Sequence, residues 1–297
     1  MTPIAQPTVH PQHHAETGTW SYVVADPGSG IAALIDPVLD FDAKSARTGT
    51  TSAQTLLDTV RDRGYQVRWL LETHAHADHL SAAQWLRRHL PDATIAIGAG
   101  IRDVQRTFAP MLDAEGALAT DGSQFGHLFD NDETFALGAL EARAIAVPGH
   151  TRDSLAYLIG DALFAGDSLF MPDAGTARCD FPGGDAATLY RSIRRLYDTL
   201  PAPTRVFVCH DYGIRPGSDD GRQPACETTI GAQRRDNIHV RDGTAEIEFV
   251  ALRTARDATL AVPALILPAL QVNLRAGALP EPARNGVRYL QLPLDQL

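Results

Sequence analysis

The chain has 297 residues, 44% of them hydrophobic and 21% charged, which suffices to bury a large core in one big domain or in a domain with a substantial appendage. A formal net charge of −10 argues against a nucleic-acid groove, because phosphate binding draws on a Lys/Arg-rich face. The three cysteines, Cys179, Cys209 and Cys226, show no C-x-x-C spacing, so neither a disulfide framework nor a zinc ribbon is indicated and a reducing, cytoplasmic setting is expected.

Residues 1–16, opening "MTPIAQPTVHPQHH", lack the basic start and continuous apolar core of a secretion signal, and no apolar run in the chain is long enough to span a bilayer. This polar, Pro-containing stretch reads as a flexible leader, with His10, His13 and His14 as tail residues rather than metal ligands. "WSYVVADPGSGIAALIDP" gives two β-like runs around a hairpin turn at Pro27-Gly28-Ser29-Gly30. Those glycines do not make a dinucleotide loop, since an apolar strand follows them where a helix N-terminus would have to face the pyrophosphate. From Thr51 to Gly64 the positions Leu56, Leu57 and Val60 share one helical face. "QVRWLLET" is then a buried strand, "LSAAQWLRRHL" a helix, "ATIAIG" a strand and "IRDVQRTFAPML" a helix, a βαβα alternation. Asp113 to Glu133 is polar and Gly-containing and reads as a surface excursion.

The second half changes rhythm. "FALGALEARAIAVPGH", "SLAYLIG" and "DALFAGDSLF" are strand-like pieces on short turns, "AATLYRSIRRLYDTL" is a helix and "TRVFVCHDYG" a strand. Mixed strands with helices segregated outside them predict two stacked sheets flanked by helices. Beyond Gly217, "ETTIGAQRRDN" and "AEIEFVALRTARDATL" are helix-like, and "LQVNLRAGALPEPARNGVRYLQLPL" reads as an irregular terminal extension.

The chemistry is concentrated in "THAHADH", where His74, His76, Asp78 and His79 sit on the loop between a strand's carboxyl end and a helix. Three more candidates close apolar strands in the same way: His150 after "ARAIAVPG", Asp167 after "DALFAG" and His210 after "RVFVC". A cation held by protein needs imidazoles and carboxylates converging from separate strand ends, and loops on a rigid scaffold can point them at one spot. The combination predicts a metal site.

These motifs, "THAHADH", "VPGHT", "FAGDSLF" and "CHDY", resemble the metallo-β-lactamase superfamily over roughly Trp20 to Tyr212. The resemblance implies an α+β fold, an αβ/βα four-layer sandwich with a C-terminal extension: residues 17–216 as catalytic domain and 217–297 as the extension packed on it. In that superfamily the first metal takes residues matching His74, His76 and His150, the second takes those matching Asp78, His79 and His210, and Asp167 matches the bridging carboxylate. Within it, Arg178, Asp180 and Phe181 of "AGTARCDFPGGD" are similar to the persulfide dioxygenase family, while Thr176 and Ala177 depart from the commonest pattern. That resemblance implies one Fe(II) per chain on His74, His150 and Asp167, which would also be the catalytic set, and His76, Asp78, His79 and His210 as hydrogen-bonding groups around it. Two imidazoles and a carboxylate on one octahedral face leave three positions open for substrate and O2. The implied reaction converts glutathione persulfide and O2 to sulfite and glutathione, with no nucleic acid or membrane as partner and with room for a homodimer. The alternative is a two-Zn(II) hydrolase of glyoxalase II type acting on S-lactoylglutathione, for which every ligand is also present.

Glutathione carries two carboxylates, and Arg178 and Tyr212, both beside ligand positions, are the expected substrate-binding residues. For Arg178 the alternative is an ion pair with Asp180 or Asp185, and for Tyr212 simple packing. Cys179 is not expected to be a nucleophile, and Cys209, alternating on an apolar strand, is expected in the core.

Overall fold

The computed structural model describes residues 6–112, 116–213 and 221–296, and its first strand lies where a flexible leader was expected. β1 (Thr8–His14) pairs antiparallel with β2 (Thr19–Ala25) along its whole length, Thr8 opposite Ala25 and His14 opposite Thr19. The reading of residues 1–16 as a flexible leader is therefore corrected for Thr8–His14, while residues 1–5 lie outside the described residues. Pro11 is tolerated because β1 is an edge strand, where a missing N–H costs no ladder bond. The histidines of this strand are tied locally, His10 Nε2 to the Tyr65 hydroxyl at 3.0 Å and His13 Nε2 to the Asp211 carbonyl at 3.2 Å.

The hairpin at Pro27–Gly30 leads into β3 (Ile31–Ile35), with no helix behind the turn. β4 (Val38–Asp42) and β5 (Arg47–Gly49) precede α1 (Thr51–Asp62), β6 (Gln66–Leu71), the short β7 (Leu80–Ser81), α2 (Ala83–His89), β8 (Thr94–Gly98), α3 (Ile101–Leu112) and β9 (His127–Phe129). The first sheet runs β1-β2-β3-β6-β8-β9, and its last three neighbouring pairs are parallel, as the βαβα alternation requires. The second half supplies β10 (Glu133–Leu137), β11 (Leu140–Ala146), β12 (Leu155–Ile159), β13 (Ala162–Phe164), α4 (Ala186–Thr199), β14 (Arg205–Phe207) and β15 (Glu227–Thr229). These six strands form the second sheet in sequence order.

Period-two alternation sorts the side chains into layers. Val23, Ala25, Ala32 and Leu34 face outward onto Leu56, Leu57 and Val60 of α1 and Leu86 of α2. Their neighbours Tyr22, Val24, Ala33 and Ile35 face inward onto Ala142, Ala144, Tyr157 and Phe164 of the second sheet. Leu163, between two inward residues, turns out to meet Leu189, Ile193 and Leu196 of α4. The result is the expected αβ/βα four-layer sandwich.

The C-terminal segment adds α5 (Ile230–Asp236) and α6 (Glu246–Asp257) on the second-sheet side, then α7 (Ile266–Asn273) on the opposite face among α2, α3 and β7. The segment read as irregular from "LQVN" onward is thus corrected at its start, because those four residues finish α7. Pro268 falls in the first turn of that helix, where its missing N–H is not needed. The expected boundary at 216/217 lies outside the described residues. Among the described residues no helix is long and apolar enough to cross a membrane.

β6, β11, β13 and β14 deliver their carboxyl ends to one edge of the sandwich, and each is followed within a few residues by a candidate ligand. Gly149, just before His150, has φ +140°, and a Cβ there would lie 2.3 Å from the backbone nitrogen of Leu189. Only glycine lets α4 close against this turn and hold His150 at the edge.

Candidate metal centre

The seven candidates converge. Asp167 Oδ2 lies 3.5 Å from His150 Nε2 and 4.0 Å from His74 Nε2, while its Oδ1 lies 3.4 Å from His210 Nε2. His210 Nε2 is in turn 3.3 Å from Asp78 Oδ2. Three donor groups result among the described residues, each with its ligand atoms within 4.8 Å of one another: His74, His150 and Asp167; His76, His79 and His210 with Cys209; and, behind these, His76 with Asp36 and Glu72.

The outer nitrogens are pinned, which decides where the inner lone pairs point. His150 Nδ1 donates to the Arg178 carbonyl at 2.7 Å, so Nε2 is the free acceptor. Thr73 donates its hydroxyl to Asp36 Oδ2 at 2.9 Å and so accepts from His74 Nδ1 at 3.0 Å. Asp36 Oδ1 also receives the Thr73 N–H at 2.7 Å and His76 Nε2 at 3.0 Å. The loop carrying these histidines is fastened by the C-terminal helix: Asn273 donates to the carbonyls of His76 and His79, both at 2.8 Å, and accepts from the Ser81 N–H at 2.8 Å.

Against that satisfied outer ring, the inner atoms lack partners. His76 Nδ1, His79 Nε2, His210 Nε2, Asp78 Oδ2 and Asp167 Oδ1 are all buried with no hydrogen bond among the described residues. Buried polar atoms are rarely left unpaired, and five aimed at one small volume fit a bound cation. The protonation states agree. Burial, then the neighbouring imidazoles, holds His74 well below the usual histidine range and brings His79 down to about 3, leaving both neutral with a lone pair to offer. Burial opposes the charge on Asp78, but His210 and His79 outweigh it and hold that carboxyl down to about 2. His76 differs: burial pulls it down, yet Asp36 and Glu72 drive it up to about 10.

The donors open onto a pocket of about 640 Å³ lined by His150, Asp167, Phe170, Phe181, Tyr212 and residues of α6 and the turn after it. Phe181 meets His150 edge-on at 5.2 Å, and Phe170 meets His210 likewise at 6.2 Å, so the donors sit between two apolar flanks. Tyr212 stands at the mouth, 59% exposed, with its ring parallel to that of His210. Arg178 lines the pocket too, but the ion pair weighed against its substrate role is present. Its Nε and Nη2 donate to the two Asp180 oxygens at 2.6 Å each, and Nη1 donates to the Ala261 carbonyl at 2.7 Å. Arg178 therefore ties this loop to the turn after α6, while its own carbonyl holds His150.

Several residues around the site carry no local signal in the sequence. Asp36 is the middle residue of an ordinary-looking "IDP", and Asn273 lies far along the chain from the histidines that it holds. Cys209 is buried as expected, its thiol 3.5 Å from Asp36 Oδ2. Cys179 is buried beside Asp257, and burial pushes its thiol up to about 12. At pH 8 about one part in ten thousand is then thiolate, so iodoacetamide should leave Cys179 unlabelled in the native protein and label it after denaturation. Rapid native labelling, mapped by mass spectrometry, would contradict this placement.

A model of the Metallo-beta-lactamase superfamily matches residues 15–210. A probable metallo-hydrolase of Burkholderia pseudomallei is 52% identical over 95% of this chain and 97% of its own length. Glyoxylase B2 of Dictyostelium discoideum is 44% identical over 95% of each chain, and the human mitochondrial persulfide dioxygenase ETHE1 is 30% identical over 65% of this chain and 64% of its own. Among solved structures, that of ETHE1 from Myxococcus xanthus has a TM-score of 0.71 at 27% identity, covering 91% of this chain and 100% of that one. The match runs through the strand ends that deliver the converging donors, and the chain belongs to the metallo-β-lactamase superfamily, whose members are metal-dependent enzymes, mostly hydrolases.

Proposed function

We propose that the chain oxidises the persulfide of glutathione with O2, releasing sulfite and glutathione, at one Fe(II) held by His74, His150 and Asp167. The observation that carries this reading is the separate grouping of His74, His150 and Asp167, of which His150 and Asp167 line the pocket. That donor set suits a metal that keeps open positions for two small ligands. The likeness to the Myxococcus ETHE1 structure and to the human persulfide dioxygenase supports it. The overall change balances as persulfide plus O2 plus water giving thiol, sulfite and two protons. When bound, Fe(II) would supply the redox chemistry and a position for the soft terminal sulfur. The protein's part is to fix the tautomers of His74 and His150 from behind and to flank the reacting sulfur with Phe170 and Phe181, which keep bulk water back.

A second reading has its own observation. Asp78, His79 and His210 present unpartnered atoms on the far side of Asp167, and Glyoxylase B2 is the more similar relative. Two zinc ions there would suit hydrolysis of a glutathione thioester. One preparation separates the two. About one iron per chain, with oxygen uptake on glutathione persulfide, is the expected result, whereas two zincs per chain and thioester hydrolysis without uptake would overturn the oxygenase.

A further inference from the structure

The pocket has a cationic wall whose charges are not equally available. Arg178 is held by Asp180, and Arg253, only 1% exposed, pairs with Asp257 and donates to the Thr176 carbonyl at 3.2 Å. Both pairs are internally neutralised and serve to brace the loop behind His150. Arg256, one turn further along α6, also lines the pocket, is exposed, and has no carboxylate or hydrogen-bond partner for its guanidinium among the described residues. Glu16, on the turn before β2, and Asp78 also line the pocket and bring negative charge to it. Phe181, Leu260, Pro263 and Leu265 line the same pocket and offer apolar surface but no charge. Among the described lining residues, a ligand carrying a carboxylate is disfavoured by Glu16 and Asp78 and finds one arginine without a carboxylate partner, Arg256 of α6.

We infer that Arg256 is the anion subsite of this pocket and receives the glycine carboxylate of the thiol substrate, the task that the sequence motif suggested for Arg178. The inference takes its substrate class, a peptide thiol with a free carboxylate, from the function proposed above; the placement of the cation stands on the structure. It also makes the C-terminal extension, through α6, the part of the chain that selects among thiols. Arginine suits the task because its planar fork can meet a carboxylate with two parallel hydrogen bonds.

The test measures binding rather than turnover. Glutathione and its glycine monoethyl ester are titrated calorimetrically, without oxygen, into the metal-loaded wild type and into Arg256→Ala and Arg256→Lys, with metal content determined in each. The expected result is that wild type prefers the acid over the ester by about tenfold, the scale of one charge-assisted contact. Arg256→Ala should erase that preference with metal content unchanged, and Arg256→Lys should restore part of it. The preference should also shrink with added salt in wild type. An undiminished acid preference in Arg256→Ala would overturn the subsite. So would the absence of any acid preference in wild type that still takes up oxygen on glutathione persulfide, which would leave the oxygenase standing. If wild type neither binds glutathione nor takes up oxygen, both readings fall.

Discussion

Asp167→Ala is expected to empty the metal centre and abolish turnover, the largest effect of any single substitution in this chain. One carboxylate stands between His150 and His74 on its Oδ2 side and His210 on its Oδ1 side, so the group of His74 and His150 loses its carboxylate and His210 loses its neighbouring one. The imidazoles that remain are neutral in the cases of His74 and His79 and cannot offset the charge of a divalent cation. The fold should survive, because Asp167 Oδ1 has no hydrogen-bond partner among the described residues and the polar neighbours of this carboxylate are the imidazoles of the site itself. Elemental analysis and thermal unfolding of the metal-free forms check the two halves. Metal retained near one equivalent would remove Asp167 from the coordinating set.

Asn273→Ala should be the most damaging change outside the donors themselves. It leaves the His76 and His79 carbonyls and the Ser81 N–H unpaired in a buried setting. Each orphaned group costs roughly 1–3 kcal/mol before relaxation, so a net loss of about 3 kcal/mol is expected. For a domain of this size that lowers the melting temperature by roughly 6–12 °C. Because the broken bonds hold the loop of His74 to His79, metal should also leave faster under a chelator. A melting drop with an unchanged rate of metal loss would show that the loop keeps its shape without α7.

The sandwich and the strand ends that carry the candidate donors were legible because both are written in local patterns. Alternation on β2 and β3 sorts residues to two faces whatever the rest of the chain does, and His150, Asp167 and His210 each end an apolar strand whose end can only be a loop. β1 escaped because an edge strand needs no alternation of its own: its ladder is supplied by β2, and its Pro11 and polar residues are compatible with a tail as well as with a sheet rim. The start of α7 escaped for a related reason, its "LQVN" being judged by the prolines and glycines that follow rather than by the core it enters.

What the amino-acid order alone determined, then, is which atoms can bind a cation and at which strand ends they sit. The tertiary structure decided which polar groups are already engaged. Arg178 and Arg256 look alike as residues, yet Asp180 and the Ala261 carbonyl occupy the first while nothing among the described residues occupies the second. Asn273 reaches Ser81 across 192 positions, and no local window contains that bond. Hydrogen bonds and ion pairs are short-ranged in space but unrestricted in separation along the chain. Residue type therefore declares a capacity, and chain closure determines whether it is used.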